Sequence, residues 1–224
     1  MPRQSSRGRC GLCGGGFGKA AMGRHIEACG QREVAAEQTE GKRGRLLHLV
    51  VEGRHAPAYW MHLEAPADAT LADLDSFLRH TWLECCGHLS AFRVRGISYT
   101  SHVDPGFGLG GKGMRGAKLG EVLEPGERFS HEYDFGTTTE LRLRVLSERE
   151  GPVRDRGIGV LARNEPPEIA CQGCGQRAAW VCSQCIWEGY GWLCEGCARD
   201  HECGEEMLLP VVNSPRVGMC GYAG

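Results

Sequence analysis

The chain has 224 residues, 26 Lys and Arg against 28 Asp and Glu, and 41% hydrophobic residues. That balance excludes a chain disordered throughout, and no run approaches the roughly 18 apolar residues of a helical membrane span. The first residues, MPRQSSRGRC, lack the apolar core of a secretion signal, so a cytoplasmic setting is expected. Thiols persist there, and the 13 cysteines, many in C-x-x-C pairs, point to metal rather than to disulfides.

Charge divides the chain in three. Residues 1–45 carry nine Lys or Arg against four Asp or Glu, residues 46–164 carry 14 against 16, and residues 165–224 carry three against eight. The expected organisation is a basic arm over 1–45, a central domain over 46–164 and an acidic cysteine-rich module over 165–224.

In the arm, Cys10-x2-Cys13 is followed after 11 residues by His25-x3-Cys29, the spacing of a small ββα zinc finger ending in cysteine. A helix through AAMGRHIEAC puts His25 and Cys29 on one face, and Phe17 and Met22 stand where such a finger keeps its apolar core. Base reading is a separate matter, because Gly18, Lys19 and Ala21 occupy the positions that would face bases. Arg3, Arg7, Arg9, Arg24, Lys42, Arg43 and Arg45 favour weak phosphate contact without sequence choice.

The central domain reads as α+β. LLHLVVEG and AYWMHLE are expected strands with a turn at Pro57. Thr70 caps a helix with Asp73 three residues on, and Leu71, Leu74, Leu78, Trp82 and Cys85 follow at helical spacing up to Gly87. AFRVRGISY, a glycine-rich loop over 104–116 and a short KLGEVL turn precede two antiparallel strands, ERFSHEYDF and ELRLRVLSE, joined at GTTT. Gly106, Gly111 and Lys112 fit a phosphate-loop spacing, but Gly113 stands where a hydroxyl should hold magnesium, so a surface loop is the default.

Three features in order, a strand containing Trp60, a helix running into GHLSAF at 87–92 and YDFG at 133–136, make about residues 46–150 similar to the plasmid ORF-3-like proteins. These are often encoded as passengers in bacterial insertion elements. The resemblance implies a compact α+β domain and no established reaction. An enzyme is the alternative, using a cleft near His88 and His131, with His62, Asp134 and the Cys85-Cys86 pair also within its motifs. Buried structural roles for Cys85 and His131, and a turn-forming role for Asp134, are the simpler reading.

Beyond the stiff linker RNEPPEIA, the candidates are Cys171-x2-Cys174, Cys182-x2-Cys185, Cys194-x2-Cys197, His201, Cys203 and Cys220. The intervals are too short for independent sites in series, so interleaving is expected. Cys171, Cys174, Cys194 and Cys197 would close one ion, and Cys182 and Cys185 another with two of His201, Cys203 and Cys220. The arrangement resembles the cross-braced modules of the RING, B-box and MYND types. With the finger, about three structural zinc ions per chain are expected, each with a closed shell that leaves no position for catalytic water. The acidic module repels phosphate, whereas Trp180, Trp187, Tyr190 and Trp192 either pack its small core or, where exposed, anchor a protein partner. The expectation is thus a non-enzymatic regulatory or interaction protein, touching nucleic acid weakly through its N-terminus and protein through its C-terminal module.

Overall fold

A computed structural model describes residues 6–30, 42–103, 111–153 and 157–224. Arg3 of the basic arm, Gly106 and the rest of 104–110 in the glycine-rich loop lie outside the described residues. The architecture is mixed α+β, dominated by one large sheet with few helices.

The chain opens with β1 (Arg7–Cys10), β2 (Gly16–Gly18) and α1 (Lys19–Ala28). The central strands follow as β3 (Arg43–Gly53) and β4 (Trp60–Pro66), then α2 (Leu71–Leu78) and one wider π turn (Arg79–Leu83). Thr70 and Asp73 close the expected capping box on α2, Thr70 Oγ1 accepting from the Asp73 N–H at 3.2 Å and Asp73 Oδ2 from the Thr70 N–H at 2.7 Å. The stretch AFRVRGISY splits into a hairpin of β5 (Ser90–Val94) and β6 (Ile97–Thr100), because Arg95 and Gly96 both take positive φ, as a tight two-residue turn requires.

After β7 (Lys112–Gly113) and α3 (Leu119–Val122) come β8 (Arg128–Tyr133), β9 (Thr139–Pro152) and β10 (Gly159–Asn164). The sheet order is β2-β1-β10-β4-β3-β9-β8-β5-β6-β7. The N-terminal β1–β2 hairpin therefore continues the central sheet rather than standing apart, with β1 paired antiparallel to β10 through Gly8↔Asn164 and Cys10↔Ala162. β3 begins three residues before the expected boundary at Leu46.

Every residue of β4 is buried. Met61, Leu63 and Ala65 join Leu71, Leu74, Leu78 and Trp82 in the main core, whereas Trp60 joins Cys10, Met22, Ile26 and Cys29 in a second cluster on the opposite face. Period-two alternation assigns these residues to opposite faces, and the finger supplies the cover for the second. Trp60 Nε1 donates to Ser6 Oγ at 2.7 Å, and Gly8 approaches the indole so closely that a Cβ there would lie 2.5 Å from it.

The C-terminal module has a three-stranded sheet, β12 (Trp192–Leu193), β11 (Trp180–Cys182) and β13 (Leu208–Pro210), plus α4 (Glu195–Arg199). Val181, Ile186, Leu209, Val211, Val212 and Val217 pack against the main core. The tail docks by polar contacts as well: Ser214 Oγ donates to the Trp82 carbonyl at 2.6 Å, and Asn164 and Asn213 exchange bonds of 2.7 and 3.0 Å.

Candidate metal centres and a basic groove

Among the described residues, metal-type side chains converge at four places, and in each the ligand atoms lie within 4.8 Å of one another. All 13 cysteines are free thiols.

In the N-terminal segment, Cys10, Cys13, His25 and Cys29 come together. β1 ends at Cys10, a turn in which Gly14 takes φ 73 carries Cys13, and α1 presents His25 and Cys29. His25 Nε2 lies 3.3 Å from Cys13 Sγ, while its ring stacks on Phe17 with centroids 3.9 Å apart. Met22 and Ile26 are fully buried behind the ligands. The Gly15 N–H donates to Cys13 Sγ and holds that thiol below its usual pKa, whereas burial pushes Cys10 up.

In the C-terminal module the chain interleaves. Cys171, Cys174, Cys194 and Cys197 form one cluster, and Cys182, Cys185, His201 and Cys203 form another. Cys174 and Cys194 sulfurs stand 3.5 Å apart, as do Cys185 and Cys203, and Cys185 Sγ is 3.5 Å from His201 Nε2. A tetrahedral ion with bonds of about 2.3 Å to sulfur and 2.0 Å to nitrogen has ligand–ligand edges of about 3.5–3.8 Å, which these separations approach. A disulfide needs sulfurs at about 2.05 Å.

Charge within each cluster is internally opposed. Burial raises the Cys171 and Cys182 thiols, but hydrogen bonds, including those from neighbouring backbone N–H groups, outweigh it and bring them down to about 6 and about 7. Hydrogen bonding to the other sulfurs pushes Cys197 and Cys203 up to about 12. Full thiolate occupancy thus calls for a cation among the sulfurs, and metal binding displaces the remaining protons.

Of the three open candidates, His201 and Cys203 complete the second cluster. Cys220 lies instead beside Cys85, Cys86 and His88 of the central domain. Sequence order gave no sign of this, since the partners are separated by more than 130 residues and meet only when the tail folds back.

His131 and His62 are packed inside the central domain, and Asp134 forms a turn. His131 is 0% exposed, its Nε2 bonds Asp75 Oδ1 at 2.7 Å, and its ring lies 4.6 Å from that of Phe92. Burial raises the Asp75 carboxyl, yet the bond and charge of His131, with Arg79 nearby, leave it below the usual range. His62 is buried against His48, with 2.9 Å between Nδ1 and Nε2. Asp134 turns the chain with φ 64, its Oδ1 accepting from the Gly136 and Thr137 N–H groups.

A groove of about 980 Å³ runs between α1 and the exposed sheet face. Lys19, Arg24, Arg93, Arg95, Arg128, Arg142 and Arg144 line it, against Glu27, Glu52 and Glu127. Registry explains the gathering: Arg128 is opposite Arg144, and Ser130 opposite both Arg142 and Arg93, so one face collects the arginines. Lys19 pairs with Glu52, Arg93 with Glu132 and Arg95 with Glu127. No ion pair to a described carboxylate is formed by Arg128, Arg142 or Arg144, although like charges directly opposite each other on a sheet are unfavourable.

The basic residues expected of the arm are dispersed. Arg24 enters the groove, Arg9 pairs with Glu165, and Arg7 donates to the Gly16 carbonyl. Lys42, Arg43 and Arg45 line a separate cleft with Lys118, where Arg45 bonds the Gly120 carbonyl at 2.7 Å. The sheet arginines were missed in the sequence, although R-x-R within ELRLRVL signals two cations on one strand face.

Of Trp180, Trp187, Tyr190 and Trp192 in the C-terminal module, Trp187 and Tyr190 are exposed. Trp192 packs toward the core and Trp180 donates from Nε1 to Glu195 at 3.1 Å. No helix among the described residues is long and apolar enough to cross a membrane.

No protein-family model and no curated protein matches the chain. Among solved structures, the protein of unknown function MM3350 from Methanosarcina mazei Go1 is similar over 53% of this chain and 67% of its own length. Identity is 17% and the TM-score 0.43, a likeness too loose to carry an argument.

Proposed function

We propose that this is a zinc-stapled, non-enzymatic binding protein whose groove takes the phosphate backbone of nucleic acid. The observation that carries the reading is the trio Arg128, Arg142 and Arg144, gathered on one sheet face without ion-pair partners among the described carboxylates and walled by Lys19 and Arg24 of α1. Guanidinium groups repel one another unless an anion joins them, and a chain of phosphates supplies anions at regular spacing. The contact site expected at the N-terminal arm becomes a shared surface of the finger helix and the central sheet.

Structural zinc in the finger and the two interleaved C-terminal clusters is part of the reading. Thiolate-rich, four-ligand, tetrahedral sets suit zinc, and a closed shell assigns it a fastening role. The chemistry such an ion supplies is charge compensation for the thiolates. A second contact, with protein, is supported by Trp187 at 61% and Tyr190 at 45% exposure in the acidic module, because these residue types anchor protein interfaces. A regulatory setting of mobile-element type is part of the same proposal, on the resemblance that the sequence of residues 46–150 bears to the plasmid ORF-3-like passengers. For the enzyme alternative, a fully buried His131 offers no atom to a cleft.

The test is fluorescence anisotropy of a labelled single-stranded and a duplex oligonucleotide against the full chain, at 50 and 200 mM salt. Affinity falls steeply with salt, and Arg142→Ser with Arg144→Ser lowers the magnitude of the log–log slope by about 1.5–2. Binding unchanged by the double substitution, or no binding at low salt, removes the nucleic-acid reading.

A further inference from the structure

The helix from Leu71 ends in the π turn at Leu83, and Glu84 then leaves it with extended backbone. Cys85, Cys86 and His88 follow, with Gly87 at φ 82 turning the chain so that both side-chain groups approach the same point. The C-terminal tail reaches that point from the other side, where Cys220 takes φ 48 and Gly221 φ 69. A cysteine rarely adopts this left-handed conformation, and the strain is held by the tail contacts of Ser214, Arg216 and Val217.

The separations approach those of a coordination shell. Cys85 and Cys86 sulfurs are 3.7 Å apart, Cys86 and Cys220 sulfurs 3.8 Å, and His88 Nε2 lies 2.9 Å from Cys86 Sγ and 3.3 Å from Cys220 Sγ. Tetrahedral zinc sets sulfur–sulfur edges of about 3.8 Å and sulfur–nitrogen edges of about 3.5 Å. Cys86 Sγ is thus placed like a ligand toward both the neighbouring thiol and the thiol of the tail.

A second, independent observation concerns charge. Arg216 is fully buried, and its Nη2 reaches both Asp134 Oδ2 at 2.8 Å and Cys85 Sγ at 3.4 Å. A buried guanidinium N–H aimed at sulfur is poorly satisfied by a neutral thiol and well satisfied by a thiolate. Three thiolates around a divalent ion leave one negative charge, which this cation faces directly.

We infer that Cys85, Cys86, His88 and Cys220 form a fourth metal site for a thiophilic divalent ion of the zinc class, clasping the C-terminal tail to the central domain. It joins residues 132 positions apart at His88 and Cys220, so it closes a long loop that no local zinc module closes. Cys86 and Cys220 are both exposed, whereas the finger and the four-cysteine cluster each expose one ligand and the remaining cluster none. The clasp ion is therefore the one that a chelator reaches first.

The test is metal stoichiometry of the full chain by native mass spectrometry after purification under reducing conditions with zinc. The wild type holds four ions and Cys220→Ser three, and a colorimetric chelator releases one ion per chain in a fast phase that Cys220→Ser lacks. His88→Cys, which keeps four ligands, retains four ions, and with Co²⁺ its spectrum shifts toward an all-thiolate site. Equal counts in wild type and Cys220→Ser, or a Cys85–Cys86 disulfide in the reduced preparation, overturns the inference. Failure of another site reads differently, as a wild-type count below four that Cys220→Ser still lowers by one, and the oligonucleotide titration is independent of both.

Discussion

Arg216 Nη2 donates to Asp134 Oδ2 across 2.8 Å, joining the C-terminal tail to the turn after β8, with the arginine wholly shielded from water. The same guanidinium donates from Nη1 to the Thr137 carbonyl and Thr139 Oγ1, and lies 4.8 Å from the centre of the Tyr133 ring. A buried ion pair adds little against an apolar replacement of both partners, but removing one partner strands the other. Asp134→Asn keeps a residue tolerant of φ 64 and removes the charge. We expect a loss of about 3 kcal/mol in urea unfolding. An unchanged midpoint would mean that the tail does not depend on this pair.

The pH dependence of stability has a specific source in His62. Burial, with Lys19 adding repulsion, pulls its pKa down from 6.5 to about 4. In the unfolded chain the imidazole protonates near 6.5, while in the fold it stays neutral to about 4. Its contribution is therefore complete above about pH 6.5 and disappears as pH falls toward 4. Between pH 7 and 5 the loss amounts to about 2 kcal/mol. Measured as the difference between wild type and His62→Phe, proton uptake at the metal clusters cancels, and parallel curves for the two proteins contradict the assignment.

Docking of the finger hinges on one missing side chain. At Gly8 a Cβ would lie 2.4 Å from the Arg163 carbonyl oxygen and 2.5 Å from the Trp60 ring. Gly8→Ala is expected to cost about 1–3 kcal/mol through overpacking. Hydrogen exchange should show β1 and β10 losing protection while β3 and β9 keep theirs. Equal protection everywhere would show that the hairpin accommodates the methyl group.

Metal removal should act unevenly. The module over 171–207 has short strands and few apolar residues of its own, so chelation is expected to unfold it and to abolish near-ultraviolet dichroism from Trp180 and Trp192. The β3–β9 pairing, which runs from Arg43↔Pro152 to Gly53↔Leu141, is held by the main core and should persist. Simultaneous loss of both would place the whole fold under metal control.

Much of this was legible in the sequence because the signals are local. Helical spacing and the Thr70/Asp73 cap announce α2, period-two alternation announces β8 and β9, and the intervals between C-x-x-C pairs force interleaving since adjacent loops are too short for separate sites. The destination of Cys220, the cover over Trp60 and the gathering of Arg128, Arg142 and Arg144 were decided by tertiary structure alone. Each depends on strand order or on a tail folding back over more than 100 residues, and residue spacing carries no information about contacts closed at that range. The sequence determined which side chains are of metal-ligating type and which faces are apolar; packing of the N-terminal hairpin and the tail against the sheet determined which of those side chains meet.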